Sequence, residues 1–206
     1  MSHFPLPVVD GFELDAPVRS LLMPDVAVRD SHARLRRLPR FFYVVDSWNV
    51  ALETRLTPHF AMWEFMDVDL FEPAPLRRFP RYVPCAVTSL AAHLEVLREQ
   101  IGSSIHISAN GGYRSPSHGK SIAGSPHCWG TAANIYRIGD LYLDERDAIE
   151  KYAALAIALL PALRARPYGP GPGCVDDHVH LDLGYVTAVP ADAPGEEPER
   201  GLRGKG

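Results

Sequence analysis

The chain has 206 residues, of which 46% are hydrophobic and 22% are charged, and its formal net charge is −4. This length and balance predict one globular domain, with or without an extension, that is large enough to bury a core. The acidic balance argues against nucleic acid as a partner. The longest apolar run, 153–163, is about half as long as a membrane span, so no membrane partner is expected.

The N-terminus and the cysteines give indications of the cellular location of the protein. Its first 15 residues contain no basic start followed by an apolar run, so no secretory signal is predicted. Cys85, Cys128 and Cys174 form no Cys-x-x-Cys pair and are too few for a disulfide framework, so free thiols are expected. We expect a cytoplasmic protein, or one exported by a non-classical route such as phage-like lysis or a secretion system.

Residues 1–55 resemble an N-terminal extension, whose role the sequence does not reveal. Prolines interrupt it, and its one credible strand is 41–45, which is rich in aromatic and β-branched residues. A short basic cluster precedes this strand and consists of Arg34, Arg36, Arg37 and Arg40. Because leucine and proline interleave these arginines, the cluster is predicted to be a solvated face beside the strand.

The next segments lead to the clearest helix. The aromatic-rich stretch 57–71 predicts a turn of helix that packs on the core, and the Pro/Arg-rich stretch 73–84 predicts a loop. Residues 85–101 predict a helix that Gly102 ends, because apolar residues recur at helical spacing. These apolar residues are Val87, Leu90, Ala91, Leu94 and Leu97.

The second half of the chain alternates between short strands and one helix. Residues 104–109 alternate apolar and polar side chains and predict a half-buried strand, which is followed by a turn at Asn110-Gly111-Gly112. A second helix is predicted over 144–164, with Pro161 kinking or stopping it. The Gly/Pro run 169–173 cannot hold regular structure. After it, 175–183 predicts a strand with its polar side chains on one face.

Together these elements predict an α+β fold, with a small antiparallel sheet and helices packed on one face. Residues 56–188 form the domain that is expected to carry the chemistry. The Pro/Gly/Glu/Arg-rich stretch 189–206 is predicted to be a disordered tail.

Three polar clusters could carry chemistry. They are Tyr113-Arg114-Ser115-Pro116; Ser125-Pro126-His127 with Gly130, Ala132 and Asn134; and Asp176-Asp177-His178-Val179-His180. Two histidines at i and i+2 on a strand point to one face, so one can bind a metal while the other lines the cavity. A carboxylate three residues before His180 would lie where a general base belongs. An exposed polar strand face explains an isolated His-x-His equally well.

The combined pattern resembles the zinc D-alanyl-D-alanine carboxypeptidases and dipeptidases, whose fold is shared by the Hedgehog signalling domain. The family reads Ser-x-His-x-x-Gly-x-Ala-x-Asp, followed later by Asp/Glu-x-x-His. This chain reads Ser125-Pro-His127-Cys-Trp-Gly130-Thr-Ala132-Ala-Asn134 and then Asp177-His178-Val179-His180. The preceding helix, strand and Gly-Tyr-Arg-Ser-Pro turn follow the family's order, and the resemblance covers about 57–185.

The resemblance implies a role for each matching residue. His127 and His180 would bind zinc, with Asn134 in the third ligand position. Asp177 would be the general base, and Arg114 would bind the substrate's carboxylate or carbonyl through its planar fork. Tyr113 and Ser125 would bind the substrate together with Arg114. Ser125 and His178 would line the cleft, and His178 is grouped with the catalytic residues. Ser125 has an alternative role as a cap of its turn.

Asn134 departs from the family, which has a zinc-binding Asp there. An amide oxygen carries no charge, so it binds zinc less tightly than a carboxylate does. Asp140 and Asp176 are other acids that could substitute, and the Cys128 thiolate is a further donor beside His127. Two functions follow: a zinc peptidase that cleaves next to a D-amino acid in cell-wall stem peptides, or an inactive relative that serves as a wall-binding or structural module.

Overall fold

The computed structural model describes residues 6–191 and 193. Within these residues the chain forms ten strands and six α-helices. The strands are β1 (Val8–Asp10), β2 (Ala27–Arg29), β3 (Leu35–Arg37), β4 (Phe41–Val44), β5 (Tyr82–Pro84), β6 (Ile105–Ile107), β7 (Ala132–Ile138), β8 (Leu141–Tyr142), β9 (Arg164–Ala165) and β10 (Val179–Asp182). The helices are α1 (Ala16–Leu22), α2 (Trp48–Glu53), α3 (Trp63–Met66), α4 (Ala74–Arg78), α5 (Val87–Ile101) and α6 (Arg146–Leu159).

The largest sheet is antiparallel and has the strand order β6-β7-β10-β9, with β8 paired to β7. In the register of its two middle strands, His180 lies opposite Asn134 and Leu181 lies opposite Ala133. Helix α6 packs against β9 and β10. This sheet therefore carries two of the predicted site residues side by side at its centre.

The first 55 residues contribute to the main core. Strands β1 and β4 pair with each other, and β5 joins them on the far side of β4. The core around Leu90 and Leu94 of α5 also contains buried side chains from this N-terminal segment, namely Leu6, Phe41, Tyr43, Val45 and Ala51. The hairpin of β2 and β3 lies outside both sheets.

Several sequence-based predictions are confirmed. The fold is α+β, with small antiparallel sheets and several helices. Helix α5 ends at Gly102, whose φ of 70° suits a residue without a Cβ. Strand β4 occupies the predicted position, and 169–173 contains no helix or strand. No helix in the described part of the chain is long and apolar enough to cross a membrane.

The stretch 73–84 is not a loop, and this prediction was wrong. It contains α4 and β5. Pro75 lies in the first turn of α4, where a missing N–H costs no hydrogen bond, and Leu76 is buried beneath it. Proline content alone therefore gave a misleading signal, because proline is tolerated both at a helix start and in a short strand at the edge of a sheet.

Other boundaries also differ from expectation. The predicted strand 104–109 is shortened to β6 because the pairing with β7 shifts register after His106. The predicted helix 144–164 ends at Leu159, before Pro161. The predicted strand 175–183 is shortened to β10, in which His180 and Asp182 share one face as expected. All four of its residues are buried, because β7, β9 and α6 surround it.

One prediction concerns the C-terminal end of the chain. The disordered tail predicted for 189–206 falls mostly outside the described residues. Ala193, which is described, is buried against the main core.

Candidate functional site

His127 lies in a short 3-10 turn, Pro126–Trp129, and is fully buried. Its Nδ1 is 2.7 Å from the carbonyl oxygen of Gly112. A carbonyl only accepts hydrogen bonds, so Nδ1 carries the proton and Nε2 keeps a free lone pair. The turn at Gly112 is close to α3: a Cβ at this position would lie 2.4 Å from the carbonyl oxygen of Phe65. Glycine therefore allows the carbonyl that orients His127 to come this near.

His180 and Asn134 meet across β10 and β7. The distance between His180 Nδ1 and Asn134 Oδ1 is 2.8 Å, and both residues are buried. The ring centroids of His127 and His180 are 5.1 Å apart, with an angle of 66° between the ring planes. Two imidazoles that share one tetrahedral zinc at about 2.0–2.1 Å have centroids on the order of 5 Å apart. The fold thus brings these three predicted residues together.

Asp182 orients His180, and sequence reasoning had given it no role. One of its carboxylate oxygens lies 3.2 Å from His180 Nε2, and the other accepts a 2.7 Å hydrogen bond from the N–H of Gly184. Because a carboxylate only accepts, Nε2 carries the proton and Nδ1 faces Asn134 without one. A carboxylate behind a histidine is the usual partner of a metal-binding imidazole. The signal in the sequence was the spacing of two residues between His180 and Asp182 on one strand.

Both imidazoles are held in the neutral form. Burial lowers the pKa of His180 to about 4, with the charge of Arg166 acting in the same direction and Asp182 opposing it. Burial also lowers the pKa of His127 well below its usual range, and the charge of Arg114 adds to this effect. A neutral imidazole is the form that binds a metal.

The contact between His180 and Asn134 can be satisfied in two ways. With Nδ1 unprotonated, Nδ1 and Oδ1 are both hydrogen-bond acceptors at 2.8 Å from each other. In the observed orientation of the Asn134 amide, a cation beside the two atoms would accept both lone pairs. Rotating the Asn134 amide satisfies them as well, because its NH2 group then donates to Nδ1. An Asp at this position could only accept and would favour the cation.

Two imidazole nitrogens and one amide oxygen are donor types that can bind zinc, although all three are uncharged. Each histidine has one nitrogen held by an acceptor and one nitrogen free of protein donors, and Asn134 adds an amide oxygen. Within the described residues, no three His, Cys, Asp or Glu side chains are grouped so that they could hold a metal ion. A set of two imidazoles and one amide binds a dication less tightly than one with a carboxylate.

The proposed substitutes for Asn134 do not join this group. Asp140 is exposed in the turn after β7, and Asp176 is exposed before β10. Cys128 is buried, and its thiol points to the carbonyl of Ile122 at 3.8 Å. Burial raises the pKa of Cys128 to about 12, so it carries no thiolate at neutral pH.

Arg114 lies beside His127 and is held by the backbone. Its N–H donates to the carbonyl of His127 at 3.3 Å, and its side-chain Nε donates to the carbonyl of Asn110 at 2.7 Å. Asn110 is fixed in turn by Asp69, which accepts from its amide at 2.8 Å and from His118 at 3.1 Å. This network, which sequence reasoning missed, positions the guanidinium, and among the described residues no hydrogen bond involves its two terminal NH2 groups.

The rest of the Tyr-Arg-Ser-Pro turn is anchored by a buried acid. Glu72 accepts hydrogen bonds from the backbone N–H and the hydroxyl of Ser115, both at 2.7 Å. Tyr113 is buried in the main core, and among the described residues its hydroxyl has no hydrogen-bond partner. Burial, with the charge of Glu72 adding to it, raises the pKa of Tyr113 well above its usual value.

The remaining predicted residues lie nearer the surface or in the turn. The Asp177 side chain is 77% exposed and bonds to Nδ1 of His178 at 2.5 Å. His178 is half-buried just before β10. Ser125 is buried and makes no capping hydrogen bond with its side chain, so the alternative role as a cap is not supported.

Arg166 is a further residue of the site that sequence reasoning missed. It follows β9, and its backbone N–H donates to the carbonyl of His180 at 3.3 Å. The only sequence signal was a pair of arginines two residues apart, Arg164 and Arg166, before Pro167.

No protein-family model, curated protein or solved structure matches this chain.

Proposed function

We propose that this chain is a zinc-dependent peptidase that cleaves a peptide bond next to a D-amino acid in bacterial cell-wall stem peptides. The observation that carries the proposal is the meeting of His127, His180 and Asn134, in the order and spacing of the motif that the family uses for zinc. Release by lysis or by a dedicated secretion system would bring the chain to such a substrate, and we include this route in the proposal.

The ligands would be His127 through Nε2, His180 through Nδ1 and Asn134 through its amide oxygen. Gly112 and Asp182 support this role because they hold the opposite nitrogen of each ring. Zinc, when bound, polarises the scissile carbonyl and lowers the pKa of water. With no carboxylate among the ligands, less charge reaches the metal, and the affinity for zinc is correspondingly weak.

Asp177 would move the proton. Its exposed carboxylate takes a proton from the attacking water and gives it to the nitrogen of the leaving amine as the C–N bond breaks, so that the products are a carboxylate and an amine. His178 donates to Asp177 Oδ1 from Nδ1 and thereby orients it. Arg114 would hold the carbonyl or carboxylate oxygen of the substrate with its free NH2 groups.

A matched set of three proteins tests the proposal: wild type, Asn134→Asp and Asp177→Ala. We expect wild type to bind about one zinc per chain and to release D-alanine from peptides ending in D-Ala-D-Ala. Asn134→Asp should bind zinc more tightly because it adds a charged donor. Asp177→Ala should keep its zinc and lose activity by roughly 10²–10⁴-fold, since it removes only the base. The measurements are elemental analysis and product chromatography.

Two results would contradict the proposal. A wild type that stays free of metal in zinc-containing buffer, beside an Asn134→Asp variant that binds zinc, would show that the natural chain has lost the metal. Full activity of Asp177→Ala would remove Asp177 from the mechanism and move the proton to another group.

The second candidate is a catalytically inactive member of the same family that serves as a wall-binding or structural module. Asn134 favours it, because a rotated amide can hydrogen-bond His180 Nδ1 in place of a metal. This candidate predicts no stoichiometric zinc, together with muropeptide binding that a chelator does not change.

A further inference from the structure

A row of polar residues crosses the central sheet at the level of His180. Asn134 lies opposite His180 on one side. On the other side Ala165 lies opposite Leu181, so Arg166, the next residue along, comes opposite His180. The 3.3 Å hydrogen bond from the Arg166 N–H to the His180 carbonyl agrees with this register. Opposed residues of antiparallel strands place their side chains on one face, so Arg166 shares the face of His180.

The side chain of Arg166 differs from those of several other arginines in this protein because it forms no ion pair with the described residues. Among the described residues, six others form ion pairs with an Asp or Glu: Arg34, Arg36, Arg37, Arg40, Arg81 and Arg146. Arg166 is half-buried, and within the described residues no hydrogen bond or ion pair engages its side chain. A half-buried cation that no acidic side chain of the described residues neutralises favours an anionic ligand.

A second arginine, Arg114, lies beside the other histidine of the pair. It is fixed next to His127 by its backbone hydrogen bond and by its Nε contact to Asn110, and within the described part of the chain no hydrogen bond engages its NH2 groups. Each arginine is thus joined through its backbone to one histidine of the pair, Arg114 to His127 and Arg166 to His180.

We propose that Arg166 is a specificity residue that binds the free C-terminal carboxylate of the peptide, while Arg114 faces the carbonyl of the bond to be cut. The planar guanidinium can pair with a carboxylate through two parallel hydrogen bonds, which a neutral amide end cannot match. This inference rests on the proposed function and deepens it. The preferred substrate is a peptide with a free carboxyl end close to the cleaved bond, rather than an internal cross-link.

Binding of two matched peptides tests this assignment. The probes are an acetylated tripeptide ending in D-Ala-D-Ala with a free carboxylate and the same peptide with a C-terminal amide. Their affinities are measured by calorimetry in the Asp177→Ala background, where no turnover is expected. We expect the free acid to bind at least about tenfold more tightly than the amide.

Substitutions of Arg166 then test whether this residue causes the preference for the free acid over the amide. Arg166→Gln should weaken binding of the free acid about tenfold and leave binding of the amide unchanged, and Arg166→Lys should keep part of the preference. Arg78→Gln, which removes the same charge from an exposed position of α4, is the matched control and should change neither affinity. If Arg166→Gln fails to fold, the Arg166→Lys variant and the two affinities of the parent Asp177→Ala protein still decide the question.

The outcomes separate this inference from the proposed function. Selective binding of the free acid without any hydrolysis in the chain with Asp177 would reject the peptidase and keep the anion site. Hydrolysis of both peptides at equal rates, or an equal loss of both affinities in Arg166→Gln, would reject the role of Arg166 and keep the peptidase. Failure of both peptides to bind at millimolar concentration would also overturn the inference.

Discussion

At the scale of single residues, the site depends on what lies behind each histidine. His127 is fixed by a backbone carbonyl, so no side-chain substitution can remove its partner. His180 is fixed by the carboxylate of Asp182, which is itself held by the N–H of Gly184. This arrangement therefore depends most on Asp182. Without its carboxylate, the His180 ring can turn or move its proton to the other nitrogen.

Asp182→Asn tests this dependence. We expect the substitution to weaken zinc binding roughly 10–100-fold, since an outer carboxylate raises the basicity of the histidine and fixes its orientation. Competition with a chelator of known affinity gives the measurement. Asp176→Asn removes the same charge from an exposed position nearby and serves as the control. Equal zinc affinity in the two variants would show that Asp182 is not needed to orient the ligand.

At the scale of elements, helix α5 is joined to the turn before α3 by a buried acid. Glu95 accepts hydrogen bonds from the Thr57 hydroxyl at 2.6 Å and from the His59 backbone N–H at 3.1 Å, and it also pairs with the His59 ring. Burial acts to raise the pKa of Glu95, but these contacts together outweigh it and hold the pKa below its ordinary 4.5.

The lowered pKa of Glu95 determines how its contribution to the stability of the fold changes with pH. The unfolded chain takes up a proton at Glu95 at higher pH than the folded chain does, so this stabilisation is complete above about pH 4.5 and is lost as pH falls through the lower folded pKa. We expect Glu95→Gln to unfold more easily at pH 7, by about 1–2 kcal/mol, and to lose less stability than wild type on acidification. Urea unfolding at pH 7 and pH 4 measures both effects. Parallel losses in the two proteins would contradict the assignment.

At the scale of the whole molecule, the first 55 residues and the site-bearing part share one core. Strand β4 pairs with β5, and Phe41, Tyr43 and Val45 pack with the helix α5 cluster. Near the site, the carbonyl of Arg37 accepts a 3.1 Å hydrogen bond from Trp129, which follows His127 by two residues. The N-terminal segment therefore supports the turn that carries His127.

A chain that begins at residue 56 tests this interdependence. Its loss of five buried apolar side chains, at roughly 1.5–3 kcal/mol each for the larger ones, is comparable to the total stability of about 5–15 kcal/mol that a domain has. We expect the shortened chain to lack a cooperative thermal transition and to be cut rapidly by protease. Supplying 1–55 as a separate fragment should partly restore the transition. A cooperative melt near that of the full chain would instead show that the segment is a dispensable extension.

The sequence by itself determined the elements whose signal is local. Helix α5 and strand β4 follow from periodicity and residue type. The resemblance carried by the motifs around His127 and His180 predicted that these two residues form one group with Asn134. Tertiary structure decided the rest. Asn134 and His180 are separated by 46 positions in the chain, and they meet because β7 pairs with β10 in one register. The same pairing, extended to β9, brings Arg166 beside the histidines. Register between distant strands depends on how the whole core packs, so no local pattern in the chain reveals it.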